Sequence, residues 1–147
     1  MVGTPGRVLG IDYGTKRLGL AISDPLRVLA GPVGAWDNDP GLMQRLTELI
    51  TNVAVTLVVV GMPYAPDGGK GAKAREVDGF IARLKRHHPV AVVTWDESYT
   101  SVEAQRVLIE GGRRRKQRRA KGAVDTMAAR LLLQQFLDAQ TVPARSS

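Results

Sequence analysis

The segment Val8-Leu9-Gly10-Ile11-Asp12-Tyr13-Gly14-Thr15-Lys16 constrains this chain more than any other. An apolar strand runs straight into a lone carboxylate, and a tight glycine turn follows at once. A carboxylate at the end of a buried strand is costly unless a cation or hydrogen-bond donors meet it. Two later acids stand at comparable element ends. Glu97 follows the run Val90-Ala91-Val92-Val93-Thr94-Trp95, and Asp125 opens the last amphipathic helix that the spacing predicts. Three converging carboxylates would repel one another unless a hard divalent cation held them together.

The rest of the pattern predicts an α/β fold. Residues 7–11 read as a first strand, and residues 17–23 as a second one paired to it through the turn at 13–16. A third strand is expected over residues 28–35. Asp39-Pro40 has the form of a helix start, with Asp as N-cap and Pro at the first position. Leu42, Leu46, Leu49 and Ile50 then keep one apolar face at helical spacing. Residues 55–60 are nearly all apolar, as expected for a central strand covered on both faces. A Pro/Gly-rich loop over 61–71 leads into a helix through about residue 86, whose inward face carries Val77, Phe80, Ile81 and Leu84. A fifth strand ends at Trp95. Thr100-Ser101-Val102-Glu103 has the form of a capping box opening a helix to about residue 110. A basic segment interrupts before a final helix over about 123–138, striped by Val124, Met127, Ala128, Leu131, Leu132 and Gln135. These elements imply a central mixed five-stranded sheet with helices on both faces, in which sites form at strand ends. Residues 7–138 read as one domain, with flexible ends over 1–6 and 139–147.

Charge narrows the choice of partner. The net charge is +7, from 21 basic and 14 acidic residues. The stretch from Gly111 to Lys121 holds Arg113, Arg114, Arg115, Lys116, Arg118, Arg119 and Lys121 and no acid; without these seven, the remaining 14 basic residues equal the 14 acidic ones. A one-sign block of this kind is the footprint of a polyanion partner, whereas a merely solvated loop intersperses signs. The chain has no cysteine, so disulfides and thiolate metal sites are out, in keeping with a reducing cytoplasm. No apolar run reaches the ~18 residues that would span a membrane.

Each acid has a plain structural explanation of its own. Asp12 could bond its own turn, Glu97 could face solvent beside Asp96, and Asp125 could complement a helix dipole. Their joint position at element ends, beside a segment that seeks phosphate, favours chemistry. Phosphodiester hydrolysis must neutralise a pentavalent phosphate and generate hydroxide near neutral pH, which two carboxylate-held Mg²⁺ or Mn²⁺ ions accomplish. Oxygen-only ligands select such hard ions over zinc.

Taken together, these residues resemble the YqgF/RuvX family, whose members are named as nucleases of pre-16S rRNA or as Holliday junction resolvases. The likeness runs from about residue 7 to 137. Its motifs are Gly10-Ile11-Asp12-Tyr13-Gly14-Thr15-Lys16-Arg17 with Ala21-Ile22-Ser23-Asp24; Val60-Gly61-Met62-Pro63 with Asp67-Gly68; Trp95-Asp96-Glu97-Ser98-Tyr99-Thr100-Ser101; and Val124-Asp125-Thr126-Met127-Ala128-Ala129. The resemblance implies an RNase H-like fold, with Asp12, Glu97 and Asp125 as metal-binding catalytic acids and Lys16 and Arg17 near substrate phosphates. The family usually has arginine at the position of Ser98 and threonine at that of Ser101; neither change removes a metal ligand. The expected activity is metal-dependent nucleic-acid cleavage, with RNA processing favoured and a DNA junction as the alternative substrate. A resolvase cutting two strands would favour a two-fold dimer.

Other readings are weaker. Asp12-Tyr13-Gly14-Thr15 also looks like the phosphate loop of the sugar-kinase superfamily, but clamping ATP takes two such domains. Gly69-Lys70-Gly71-Ala72-Lys73-Ala74 lies too far from its strand for a dinucleotide fingerprint. His87 and His88 are adjacent and cannot share one helical face, and Trp36 and Trp95 suit core packing better than base stacking. Ser23, Ser98 and Ser101 lack a nucleophile elbow. The main rival is a non-catalytic RNA- or DNA-binding protein on the same scaffold.

Overall fold

A computed structural model describes residues 6–64, 67–96 and 117–141, with side chains for 124–140 of the last stretch. The elements run β1 (Arg7–Asp12), β2 (Arg17–Ser23), β3 (Ala30–Asp37), α1 (Leu42–Asn52), β4 (Val55–Met62), α2 (Ala72–His87), β5 (Ala91–Asp96) and α3 (Gln117–Thr141). The strands form one sheet in the order β3-β2-β1-β4-β5. β1 pairs antiparallel with β2 and parallel with β4; β2–β3 is antiparallel and β4–β5 parallel.

Period-two alternation divides the core between the two faces. Leu9 and Ile11 of β1, Leu18 and Leu20 of β2, and Val58 and Val60 of β4 point to the layer of α1 and α2, where they meet Leu46, Ile50, Phe80 and Leu84. Val8, Ala21 and Val59 point to the other face and meet Ala129, Leu132, Leu133 and Phe136 of α3. Burying an aliphatic side chain of this size contributes roughly 1.5–3 kcal/mol, so Leu132, Leu133 and Leu137 alone anchor the later half of α3. Gln134 reinforces that anchor: its Oε1 accepts from the Ala30 amide at 2.9 Å and its Nε2 donates to the Val28 carbonyl at 2.9 Å.

The two faces are built from different residues. Large side chains separate α1 and α2 from the sheet, whereas α3 lies down on glycine and alanine. A Cβ at Gly10 would sit 2.9 Å from the Leu133 Cβ, and one at Gly19 would run into the backbone carbonyl of Asp125. This close approach fixes the position of the first half of α3.

β4 runs on through Gly61 and Met62, which the pattern assigns to the following loop, and the last helix continues to Thr141, past the expected end at 138. Three further boundaries differ from the sequence pattern, each for a local reason. Asp39 does not cap α1 directly; its Oδ1 accepts from the Gly41 amide at 3.1 Å, and the helix begins at Leu42. That is an Asx turn, which competes with a helical cap for the same side chain. β3 is shifted two residues towards the C-terminus, because Asp24 folds residues 24–29 into a turn by accepting from the Val28 and Leu29 amides. The basic segment does not interrupt up to residue 123: α3 already starts at Gln117 and runs through Arg118, Arg119 and Lys121. Arg, Lys, Gln and Ala are all good helix formers, so their charge does not break the helix. The helix predicted from Thr100 lies outside the described residues.

Candidate active site

β1, β4 and β5 are parallel, so their carboxyl ends share one edge of the sheet. β1 ends there on Asp12, one residue past the Ile11–Val60 pair, and β5 ends on Asp96, opposite Met62. Asp12 shares parity with Val8 and Gly10, which assigns it to the face that α3 covers. Directly opposite, on the antiparallel neighbour β2, stands Gly19. Facing pairs of this kind carry their side chains on the same side of the sheet. The backbone of Asp125 lies against Gly19. One glycine therefore sits between the two acids, facing Asp12 across the sheet and touching Asp125 from below.

Asp125 is half-buried and lies two turns into α3. The helix-dipole explanation for an acid in a first turn therefore does not apply to it. Its Oδ2 accepts from Arg17 Nε at 3.1 Å, an ion pair with side chains 31% and 26% exposed. Arg17 opens β2 with the same parity as Gly19 and Ala21, which is why it reaches towards α3. Lys16, the other cation of the turn, is exposed.

Asn38 is a residue the sequence pattern did not single out. Its side-chain Nδ2 donates to the Gly14 carbonyl at 2.8 Å, and its amide donates to the Lys16 carbonyl at 2.8 Å. Asn38 follows β3, so the end of the edge strand ties down the turn that carries Lys16 and leaves Asp12. On the opposite side, Tyr13 packs on Phe80, ring centroids 4.8 Å apart. The only hint in the sequence is an Asn beside two aspartates, a composition that marks turns generally.

Glu97 comes directly after the last residue of β5 and lies outside the described residues, as do Arg113, Arg114, Arg115 and Lys116. Arg118, Arg119 and Lys121 fall on the first two turns of α3, their side chains outside the described set. At 1.5 Å per residue, that backbone lies about 6–11 Å along the helix from Asp125. Among the described residues, no three His, Cys, Asp or Glu side chains gather closely enough to hold a metal ion. Trp95 is half-buried and packs edge-to-face on Phe136 at 5.8 Å, and Trp36 lies under the Arg45 guanidinium, also at 5.8 Å.

The family model described as "Holliday junction resolvase", RuvX, matches residues 6–139. A protein of Chlorobium luteolum named "Putative pre-16S rRNA nuclease" is 45% identical over 134 residues, covering 90% of this chain and 94% of its own. A protein of the same name from Chlorobaculum tepidum is 40% identical over 136 residues, covering 92% and 95%. Among solved structures, T. thermophilus RuvC in complex with Holliday junction substrate superposes with a TM-score of 0.58 at 16% identity, covering 92% of this chain and 96% of that one. The fowlpox virus Holliday junction resolvase gives 0.55 at 13% identity, covering 91% and 99%. At such identities the likeness establishes the fold, which is RNase H-like. The family model and these relatives make the chain a nuclease acting on nucleic acid. The chain belongs to the RuvX (YqgF) family.

Proposed function

We propose that this nuclease cleaves phosphodiester bonds in a ribosomal RNA precursor, with Asp12, Glu97 and Asp125 holding Mg²⁺ or Mn²⁺. The observation that carries the reading is the placement of Asp12 and Asp125 on either side of Gly19, at the edge where the parallel strands end. The donor set fits a hard ion, since carboxylate oxygens are the ligands such cations take. When bound, the cation neutralises charge on the phosphate under attack and makes water acidic enough to act near neutral pH.

The chain's own residues supply the rest. β1 and α3 present the two carboxylates from rigid elements, which holds their separation fixed as the substrate changes. The turn pinned by Asn38 holds Lys16 at the same edge, where its ammonium meets a substrate phosphate. Arg118, Arg119 and Lys121 precede Asp125 on α3, and together with Arg113, Arg114, Arg115 and Lys116 they bind the polyanion without reading its sequence. RNA is favoured by the relatives' name, and such a substrate puts the protein in the cytoplasm. Among the described residues no helix is long and apolar enough to cross a membrane.

The second reading is a DNA junction as substrate, favoured by the family description and requiring a two-fold dimer for paired cuts. The two separate in one experiment. Purified protein is incubated with labelled RNA, single-stranded DNA and a four-way junction, each with Mg²⁺, Mn²⁺ or chelator. RNA cleavage that stops with chelator and with Asp12→Asn, while binding persists, is the expected result. Cleavage by Asp12→Asn at the wild-type rate would defeat the assignment. Binding that falls steeply with salt but ignores Mg²⁺, with no cleavage of any substrate, would mark a binding protein instead.

A further inference from the structure

The ion pair between Arg17 and Asp125 sets up a competition within the site. This inference rests on the proposal above that Asp125 is a metal ligand. Arg17 Nε takes Oδ2 of Asp125 at 3.1 Å, so the carboxylate expected to face a cation already has one. The pair is one nitrogen on one oxygen, about a quarter to a third exposed on each side. Such a contact is worth far less than a buried bidentate one and exchanges readily. The backbone of Arg17 is held by its register with Asp37, so the guanidinium can swing without the strand moving.

We infer that Arg17 is an exchangeable counter-ion. It neutralises Asp125 while the site holds no divalent cation, and it gives up that carboxylate when one binds. The released guanidinium stands at the strand edge, where it pairs with a phosphate of the nucleic acid. A cation and a substrate then favour each other's binding through one side chain, since each removes an obstacle to the other. The same residue also disfavours a divalent cation in the absence of substrate, because a fixed positive charge beside Asp125 repels it.

Titration calorimetry with MnCl₂ alone tests this, on wild type, Arg17→Gln and Arg17→Lys. Arg17→Gln removes the charge and is expected to bind Mn²⁺ about 3- to 10-fold more tightly at low salt, the gain shrinking as salt screens the partly exposed pair. Arg17→Lys keeps the charge and is expected to stay close to wild type. Equal or weaker binding by Arg17→Gln overturns the counter-ion role alone. Heat absent from all three proteins removes the metal site and this inference with it. In a second arm, RNA binding is compared in Ca²⁺ and in chelator. Wild type should bind RNA more tightly with Ca²⁺, and Arg17→Gln should lose most of that difference; an undiminished difference in the variant overturns the coupling.

Discussion

Replacing Gly19 with alanine adds one methyl group where the structure has no room for it. The new Cβ would overlap the carbonyl of Asp125 and come within 3.2 Å of its Cα. The obstacle is helix backbone, which cannot rotate away as the tip of a side chain can. Comfortable carbon contacts begin near 3.5 Å, so α3 must rise by more than about 1 Å at Asp125. It cannot rise as a unit, because Leu132, Leu133, Leu137 and the two bonds of Gln134 hold its later half. The helix therefore pivots, and the displacement concentrates at the acid. Overpacking of this kind costs about 1–3 kcal/mol, offset by up to about 1 kcal/mol from the reduced freedom of alanine in the unfolded chain. On the role proposed for Asp125, a shift of about 1 Å lowers turnover by about 100-fold. Urea unfolding should then register a modest loss of stability, and kcat/KM a loss too large for that destabilisation to explain. Gly79→Ala is the control: a Cβ there meets nothing within 4 Å, and alanine in α2 should stabilise by about 1 kcal/mol. If Gly19→Ala cleaves within about twofold of wild type, the placement of Asp125 by close packing is refuted.

Asn38→Ala removes the bond to the Gly14 carbonyl; it should cost about 1 kcal/mol in unfolding experiments and raise KM more than it lowers kcat, by loosening the turn that carries Lys16. Arg113, Arg114 and Arg115 changed together to alanine should weaken RNA binding and flatten its log–log salt dependence by about 2 units, measured by filter binding; unchanged affinity would reduce the segment to a solvated surface. Asp24 is held below its ordinary carboxylate pKa by amide hydrogen bonds, first from Leu29 and then from Val28, against a smaller opposing effect of burial. Its folded-state pKa is thus the lower one, so its contribution is present above the unfolded value and lost as pH falls through the folded value. Acid unfolding should accordingly steepen in wild type and be shallower in Asp24→Asn, as followed by circular dichroism across that acidic range.

Much of the fold was legible because its periodicities are strong. The apolar run over 55–60 and the pattern of β1 and β2 identified three strands, and the family motifs pointed to Asp12 and Asp125, which the fold places on either side of Gly19. Boundaries were less legible where one side chain had two uses. Asp39 could cap a helix or close an Asx turn, and only the position of the Gly41 amide decides between them. The start of α3 was obscured by charge: Arg118, Arg119 and Lys121 repel one another yet are good helix formers, and here propensity prevails. Gly19 and Asn38 were invisible for a different reason. A glycine in a strand signals close approach by something, but the sequence does not say by what. Asn38 acts across to a turn more than twenty residues away, and no local pattern encodes that partner.

The two described acids come from opposite ends of the chain, β1 and α3. During synthesis the ribosome delivers the strand bearing the first long before the helix bearing the second. A nascent or prematurely terminated product that lacks α3 therefore lacks half of this pair, along with the apolar cover over one side of the sheet. On the proposed mechanism, such fragments are inert. The nuclease is thereby disarmed until α3 has been made.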